Sequence, residues 1–354
     1  MRIVVDVSPL SHLRTGVGNY IRGSLLGLAQ VGGHDVVAFA PAGTRGKHEI
    51  EASLAGVGVE RSLPVLPAAH ALRTAWSRLG RPPAERFLGS FDVLHFSDWM
   101  YPPQRAGIRS TMIHDLVPLH HPDWVHPRTR RMHRAKYRHA ARTCDVVIVN
   151  SRFTGDDVAA TLSVPLERIH VAYPGVEPEF TPVGERLELE RPYALTVATL
   201  EPRKNLATLI EAYRRLDGRL ALAVAGASGW GEQPELDADG VVRLGYTPPH
   251  ELPRLYRGAS VFVYPSLYEG FGMPVLEAMA CGVPVVASSH ASLDEACGDA
   301  AVRADPRDPE AIAAAIGAAL DRRDELVPRG IAHAGSFTWL ENGRAHLAAW
   351  ESAQ

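Results

Sequence analysis

The sequence predicts an α/β protein made of two doubly wound domains. The chain has 354 residues, which is more than a single hydrophobic core usually serves. Short apolar runs, typical of parallel strands buried on both faces, alternate with helical segments. A stretch rich in proline and charge interrupts this alternation near the middle, after which the alternation starts again.

The first half contains five predicted strands, and the first of them leads through a glycine-rich turn into a helix at YIRGSLLGLAQ. These strands are RIVVDV, DVVAFA, FDVLHF, STMIHD and CDVVIVN. The segment YPGVEPEFTPVGERLELERP lacks periodicity and is the predicted linker.

The second half repeats the pattern of strands and helices. Its predicted strands are YALTVAT, LALAVAG, VVRLG, SVFVYP and VPVVAS, and its helices include NLATLIEAYRRL and PVLEAMAC. The tail FTWLENGRAHLAAW is a helix with aromatic residues available for burial. We therefore expect domains at 1–176 and 177–336, followed by a terminal helix at 337–354.

The net charge of −3 conceals an asymmetry between the two halves. Residues 1–176 hold 21 Lys and Arg against 14 Asp and Glu, or +7, and the remainder holds 16 against 26, or −10. No secretory leader or membrane span is expected, and three scattered cysteines do not suggest a disulfide framework. A reducing cytoplasm is the expected location.

The stretch EGFGMPVLE places Glu269 and Glu277 on either side of two glycines and a proline. Pro274 suits the first turn of a helix, so Glu277 is expected in that turn and Glu269 in the loop after a strand. Gly270 and Gly272 allow the backbone to approach a ligand closely. Two carboxylates can accept hydrogen bonds from the hydroxyls of sugars and riboses, whereas capping alone accounts only for Glu277.

The stretch TLEPRKN places Arg203 and Lys204 just before a helix whose expected N-cap is Asn205. Cations beside a helix N-terminus oppose its dipole by roughly 0.3–1 kcal/mol, and a bound dianion reverses that effect. The pair is therefore a candidate diphosphate clamp, although a basic dipeptide in a loop is often only solvated.

The stretch RTGVGNY brings Gly16 and Gly18 close to the end of the first strand, where backbone amides can meet a phosphate. A dinucleotide fingerprint needs a third glycine at the position of Ile21 and an acid near the end of the second strand. Both are missing, so nicotinamide binding is disfavoured.

Histidines are frequent between positions 114 and 139, namely His114, His120, His121, His126, His133 and His139. Their spacing fits no zinc pattern and no cysteine accompanies them, so a metal site is not expected. His114 is the functional candidate because it follows a predicted strand directly.

Residues 124–144 contain six arginines and one lysine and no acid, with Met132, Ala135 and Ala140 available for the inner face of a helix. An anionic membrane surface or a phosphorylated acceptor fits such a face. Nucleic acid is not favoured, because no aromatic platform accompanies the charge. A solvated helix is the alternative.

Together these stretches resemble the retaining glycosyltransferases of family four, and in particular their mannosyltransferase-B-like branch. The resemblance is carried by TGVGNY, IHDLVPLHHP, VNSRFTGDD, YPGVEPEF, TLEPRKN, LGYTPPHELPRLYRGA and YPSLYEGFGMPVLEAMACGVPVVAS. It implies the GT-B fold, in which two Rossmann-like doubly wound domains face each other across a cleft, with the tail helix crossing back to the first domain.

The resemblance also implies residue roles. Glu277 binds the nucleotide ribose, and Glu269 contacts the donor sugar together with the amides of Gly270, Phe271, Gly272 and Met273. Arg203 and Lys204 stabilise the departing diphosphate. Gly16 and Gly18 approach it from the first domain, His114 bonds a sugar hydroxyl, and the backbone around Tyr246 meets the base.

The expected activity is the retaining, metal-independent transfer of a hexose from a nucleotide-diphosphate sugar to a glycan or lipid-linked acceptor, as in cell-envelope polysaccharide or lipopolysaccharide synthesis. GDP-mannose is the first expectation for the donor, with UDP-glucose and dTDP-rhamnose as alternatives. No cofactor is expected. Two different classes of protein stay open, namely a metal-dependent transferase that uses Asp237 and Asp239, and a non-catalytic protein that binds nucleotide sugars.

Overall fold

The computed structural model describes residues 1–97, 101–216, 218, 220–229 and 238–354. The chain forms two compact units. Unit 1 comprises Met1–Leu116, Arg128–Gly175 and Thr338–Gln354, and unit 2 comprises Val117–Pro127 and Val176–Phe337. The tail segment thus belongs to unit 1, whereas Val117–Pro127, which lies inside the range expected for the first domain, belongs to unit 2.

The described residues of unit 1 form a parallel sheet of seven strands in the order β3-β2-β1-β4-β5-β6-β7. The strands are β1 (Arg2–Asp6), β2 (Asp35–Phe39), β3 (Glu60–Ser62), β4 (Val93–Phe96), β5 (Ile108–Ile113), β6 (Val146–Val149) and β7 (Ile169–Val171). The chain moves outward from β1 to β3 and then crosses to β4 on the other side of β1. A doubly wound sheet changes direction in this way.

The described residues of unit 2 form a parallel sheet of six strands in the order β10-β9-β8-β11-β12-β13. The strands are β8 (Tyr193–Val197), β9 (Ala221–Ala225), β10 (Val241–Gly245), β11 (Val261–Tyr264), β12 (Val285–Ser288) and β13 (Ala301–Ala304). Its direction changes between β8 and β11. This is the second doubly wound sheet that the sequence predicts.

Helices connect the strands, as parallel pairing requires. They are α1 (Gly16–Val31), α2 (Thr44–Ser53), α3 (Ala69–Leu79), α4 (Glu85–Leu88), α5 (Val117–His120), α6 (Pro127–Thr143), α7 (Arg152–Leu162), α8 (Leu206–Tyr213), α9 (Leu252–Gly258), α10 (Met273–Ala280), α11 (Asp294–Cys297), α12 (Pro309–Asp321), α13 (Arg323–Ala334) and α14 (Trp339–Glu351). Central strands such as β4, β6 and β11 are buried along their whole length. Burial on both faces explains why they are continuous apolar runs.

Helix α14 packs on α1 within unit 1, and glycines make this close approach possible. A Cβ atom at Gly23 would overlap the Trp339 ring, and one at Gly27 would overlap the backbone of Trp339. The Asn342 side chain donates to the carbonyl oxygen of Tyr173 at 2.6 Å. Helix α14 therefore completes the core of unit 1.

Candidate functional site

Three of the predicted site residues lie at the point where the sheet of unit 2 changes direction. Arg203 and Lys204 follow β8 in a short 3-10 turn, and Glu269 follows β11. These two strands are neighbours in the sheet, so their carboxyl ends bring the two loops together. In open α/β sheets this is the usual position of a ligand site.

Glu269 bridges the two cations. Its Oε2 accepts from Arg203 Nη1 at 2.6 Å and its Oε1 accepts from Lys204 Nζ at 2.5 Å. Lys204 also donates to the Tyr264 hydroxyl at 2.7 Å, and Arg203 Nε donates to Glu201 at 3.0 Å. The basic pair is therefore a buried ionic cluster rather than a solvated dipeptide.

Burial and charge act in opposite directions on this cluster. Burial disfavours ionisation of Glu269, but the adjacent charges of Arg203 and Lys204 outweigh it and lower the pKa of the carboxyl to about 2. Burial and the neighbouring Arg203 lower the pKa of Lys204, and Glu269 opposes that shift. Glu269 is accordingly ionised at neutral pH.

Glu277 has a different environment although it is equally buried. It is the fifth residue of α10, which begins at Met273, so it lies in the second helical turn and not in the first turn as expected. Its Oε2 accepts from the Tyr256 hydroxyl at 2.9 Å. Burial raises the pKa of Glu277 to about 7, against the Tyr256 hydrogen bond, and the charge of Glu177 adds to the increase.

The loop between the two acids is shaped by glycine. Gly272 has φ of 107°, a region that favours glycine, and it is the N-cap of α10. A Cβ atom there would lie 2.5 Å from the Leu293 side chain. The residues Gly270, Phe271 and Gly272 are all buried. This conformation explains why the helix starts at Met273.

A cluster of rings beside Glu269 was missed by the sequence reasoning. Within unit 2, the Tyr268 ring lies 6.2 Å from His120, 5.6 Å from His121 and 5.6 Å from His290, measured between ring centroids. His121 stacks on Trp124 at 3.8 Å. The segment Val117–Pro127 thus brings the rings of His120, His121 and Trp124 near the loop that carries Glu269. The sequence pattern did not predict this proximity.

His290 and Ser292 also support the backbone of Glu269. The Glu269 N–H donates to Ser292 Oγ at 3.0 Å, and this hydroxyl lies 2.9 Å from His290 Nδ1. Ser292 N–H donates to the same ring nitrogen at 3.2 Å. The only sequence signal for these residues is their place just after the predicted strand VPVVAS.

The candidates in unit 1 occupy the carboxyl ends of two strands. Gly16 and Gly18 lie in the first turn of α1, which begins four residues earlier than expected. His114 directly follows β5, and its ring meets that of Tyr20 edge-on at 5.1 Å. Burial lowers the pKa of His114 to about 3, so the ring is neutral. Among the described residues its buried Nε2 finds no hydrogen-bond partner.

Helix α6 forms in the basic segment, but one of its cations points inward. Lys136 is buried and donates to the carbonyl oxygens of Ser97 at 3.0 Å and Met112 at 2.6 Å. Ala135, expected on the inner face, is exposed, whereas Ala140 is buried as expected. The exposed charge of this helix therefore belongs to its arginines.

Two further candidates concern the base and a metal. Tyr246 follows β10 and is 37% exposed. Asp239 is described, but Asp237 lies outside the described residues. Within the described ranges, no three His, Cys, Asp or Glu side chains are grouped so that they could hold a metal ion.

Comparison with known proteins agrees with this architecture. Residues 14–180 match the model of glycosyltransferase family 4, and residues 179–329 match that of glycosyl transferases group 1. O-antigen chain mannosyltransferase B from Escherichia coli is 35% identical over 272 residues, which cover 70% of this chain and 71% of that protein. The serotype-specific mannosyltransferase WbdA from Escherichia coli is 28% identical over 66% of this chain, which spans 32% of that protein.

Solved structures share the fold at low sequence identity. Sucrose-phosphate synthase from Thermosynechococcus elongatus superposes with a TM-score of 0.71 at 18% identity, covering 99% of this chain and 98% of that one. HepE from Anabaena, in complex with UDP-glucose, gives 0.70 at 17% identity, covering 99% and 100% of the two chains.

Two Rossmann-like domains with parallel sheets define this chain as a protein of the GT-B class. It is a glycosyltransferase and belongs to glycosyltransferase family 4. The models of family 4 and of glycosyl transferases group 1 together match residues 14–329. The sequence prediction of family and fold is confirmed. Along the described residues, every helix is too short or too polar to cross a bilayer.

Proposed function

We propose that the protein is a retaining, metal-independent hexosyltransferase that transfers mannose from GDP-mannose to a glycan or lipid-linked acceptor. The observation that carries the proposal is the buried cluster of Arg203, Lys204 and Glu269 at the switch point of unit 2. The similarity to the mannosyltransferases of Escherichia coli supports mannose as the sugar. We place the activity in cell-envelope polysaccharide or lipopolysaccharide synthesis, on the cytoplasmic side of the membrane.

In this proposal the bond between the anomeric carbon and the diphosphate oxygen breaks, and a bond to the acceptor oxygen forms on the same face. The acceptor proton passes to the leaving phosphate oxygen. Arg203 and Lys204 stabilise the negative charge that develops on the leaving group. Fixed cations do this without a metal ion, and no protein nucleophile is required.

We assign the remaining roles as the resemblance to family 4 implies. Glu277 accepts hydrogen bonds from the ribose, and Glu269 holds the clamp and meets the sugar with the amides from Gly270 to Met273. The neutral His114 offers its buried Nε2 to a sugar hydroxyl. Gly16 and Gly18 approach the diphosphate, and the backbone around Tyr246 meets the base.

The donor is tested by thermal unfolding with GDP-mannose, UDP-glucose and dTDP-rhamnose. A ligand at 100 times its Kd stabilises the folded state by about 2.7 kcal/mol, so the true donor should raise Tm clearly above the others. Release of nucleoside diphosphate from that donor distinguishes an enzyme from a non-catalytic binding protein. Stabilisation without release would support the binding protein.

Metal independence and stereochemistry need separate assays. EDTA should leave transfer intact, because the clamp carries the leaving-group charge. Loss of activity in EDTA that manganese or magnesium restores would favour the alternative with Asp237 and Asp239. Proton NMR of the product should show the anomeric configuration of the donor, and inversion would contradict the same-face route.

We further propose that α6 lies against an anionic membrane. Arg131, Arg134, Arg138 and Arg142 are spaced by three or four residues, so they share one face of the helix. All four are exposed, whereas the buried residues Lys136, Tyr137 and Ala140 lie on the opposite face. The arginine face extends over about 16 Å of helix.

Vesicle sedimentation tests this surface. Attraction of about 1 kcal/mol per cation should give binding to phosphatidylglycerol vesicles that falls with added salt. Changing the four arginines to Gln should abolish binding and leave donor hydrolysis unchanged. The matched control changes four exposed arginines of unit 2, namely Arg214, Arg307, Arg322 and Arg329. Equal binding to neutral phosphatidylcholine vesicles, or equal loss in the control, would contradict the proposal.

A further inference from the structure

The charged groups of the proposed diphosphate clamp balance one another within the protein. Two cations, Arg203 and Lys204, face two carboxylates, Glu201 and Glu269, and the ion-pair distances are 3.0, 2.6 and 2.5 Å. With all four groups ionised the formal charges cancel. A diphosphate entering this site therefore competes with carboxylates that already occupy the cations.

The two carboxylates engage different sides of the Arg203 guanidinium. Glu201 accepts from Nε, and Glu269 accepts from Nη1. A phosphate that binds a guanidinium through two parallel hydrogen bonds uses either the edge that contains Nε or the edge that contains Nη1. A phosphate on the edge that contains Nε must take the single Nε N–H from Glu201. Nη1 has two N–H groups and donates both to Glu269 and, at 3.4 Å, to the carbonyl oxygen of Tyr268.

Glu201 is the more easily displaced of the two. The Glu269 side chain is 8% exposed and pairs with both cations. The backbone N–H of Glu269 also donates to the Ser292 hydroxyl. The Glu201 side chain is 28% exposed and forms its ion pair with Arg203. Partial exposure lets water take over the charge of Glu201 when it moves away, whereas Glu269 would be left buried.

We propose that Glu201 is an exchangeable counter-ion of Arg203, which yields its place to the diphosphate and returns when the nucleoside diphosphate leaves. It is a positioning residue, since it acts through Arg203 and not on the reacting atoms. The proposal rests on the proposed function of the clamp. It predicts that Glu201 weakens the binding of the product and speeds its release.

Isothermal titration of Glu201→Gln with GDP, UDP, dTDP and inorganic pyrophosphate tests the proposal without turnover. The nucleoside diphosphate that binds the wild-type protein should bind the variant roughly two- to fivefold more tightly, as expected for a partly exposed ion pair. This nucleoside diphosphate should also inhibit transfer by the variant more strongly, by the same factor. The kcat of the variant should not rise above that of the wild-type protein. Pyrophosphate, which lacks the base and ribose, should show the same direction of change.

Glu211→Gln is the matched control. Glu211 also pairs with an arginine, Arg215, at 3.1 Å, and its side chain is 56% exposed on α8. The substitution removes the same charge, so it should leave all affinities unchanged. A purely structural role for Glu201 would instead lower the Tm of Glu201→Gln and weaken binding.

The outcomes separate the two proposals. Unchanged or weaker binding by Glu201→Gln, with normal binding by the wild type, overturns the role of Glu201 alone. An equal gain in Glu211→Gln also overturns it, since the effect would then be one of net charge. If the wild-type protein binds none of the four ligands, the diphosphate clamp itself is overturned, and the role of Glu201 with it.

Discussion

Two sets of buried ionisable groups, one in each unit, differ in their charge. In unit 2, Glu269 is buried and ionised because two cations contact it. In unit 1, burial lowers the pKa of three buried histidines, His95, His114 and His346, so that all are neutral at physiological pH. In the proposed function, the ionised cluster of unit 2 meets the charged leaving group, and the neutral His114 of unit 1 meets a sugar hydroxyl.

Several buried polar groups of unit 1 are joined by neutral hydrogen bonds. Ser110 Oγ lies 2.9 Å from both His95 Nδ1 and the Trp350 indole nitrogen, and the Tyr20 hydroxyl donates to the carbonyl oxygen of Ala172 at 2.7 Å. The cation Lys136 donates there to the carbonyl oxygens of Ser97 and Met112. Hydrogen bonds alone can offset the burial of an uncharged polar group, whereas burying a charge costs much more unless the charge is also paired.

The largest effect is expected at Arg203, where the comparison predicts that charge matters most. Arg203→Ala should lower turnover by the equivalent of about 2–4 kcal/mol, because a charge-assisted contact to the leaving group is lost. The free energy of unfolding should fall by less, since Lys204 still pairs with Glu269. Steady-state kinetics and urea unfolding measure the two quantities.

Arg203→Lys is the control, since it keeps the charge but removes the fork of the guanidinium. It should retain more activity than Arg203→Ala. Wild-type turnover in Arg203→Ala would contradict the proposed role of the charged cluster of unit 2 in stabilising the leaving group.

A smaller effect is expected at Glu277, whose pKa of about 7 means that the carboxyl is partly ionised at neutral pH. Glu277→Gln should weaken binding of the sugar nucleotide about tenfold at pH 8, because hydrogen bonds to a charged acceptor are lost. In the wild-type protein, affinity should fall as pH decreases through about 7, since protonation removes that acceptor. Calorimetry between pH 5.5 and 8.5 measures both effects.

The sugar nucleotide is the proper ligand here, because a free nucleoside diphosphate has a terminal phosphate that itself titrates near pH 6. The affinity of Glu277→Gln should not change across this range. The folded-state pKa of Glu277 lies above the ordinary value of 4.5. The contribution of this carboxyl to the free energy of unfolding therefore decreases as pH rises from about 4.5 to 7. Glu277→Gln should therefore be relatively more stable at pH 8 than at pH 5, and the opposite trend would refute the raised pKa.

The smallest effect is expected at His114 in unit 1. A neutral hydrogen bond contributes about 0.5–1.5 kcal/mol, so His114→Ala should lower the rate of transfer by roughly two- to tenfold. Because the pKa of His114 is about 3, its neutral ring should add no limb to the pH–rate profile above pH 5. A limb near pH 6.5 that disappears in His114→Ala would show that the ring is charged in the working enzyme.

His170→Gln provides the control for this substitution. His170 lies in the edge strand β7, away from the carboxyl ends that carry the candidate residues. Its substitution should leave the rate of transfer unchanged.

Among the described strands, the sequence predicted all the inner strands but only one of the four edge strands, β10. Strands β3, β7 and β13 were not predicted, and all three lie at sheet edges. Their residues are only partly buried for the most part, so they lack the continuous apolar runs that made the inner strands recognisable. Strand β10 is only partly buried, and it was recognised because its sequence VVRLG is still mostly apolar.

The sequence predicted which residues belong to the candidate site, but it did not predict the contacts between them. The pairing of Glu269 with Arg203 and Lys204 joins positions 66 and 65 residues apart, and this pairing depends on β8 and β11 being neighbours. Glu277 was expected in the first turn of α10, but the helix begins at Met273, one residue before the predicted PVLEAMAC, with Gly272 as its N-cap. Lys136 was counted with the exposed arginines, since no sequence pattern announces a lysine held by distant carbonyl oxygens.

The close contact between α14 and α1 has a consequence for the order of assembly during synthesis. Helix α14 follows unit 2 in the chain, so unit 2 can be fully synthesised while the glycine-lined surface of α1 still lacks its partner. Domains generally fold as units as they emerge from the ribosome. Unit 2 is thus expected to mature first and unit 1 second, and the nascent chain carries an open apolar surface on α1 until Trp339 arrives.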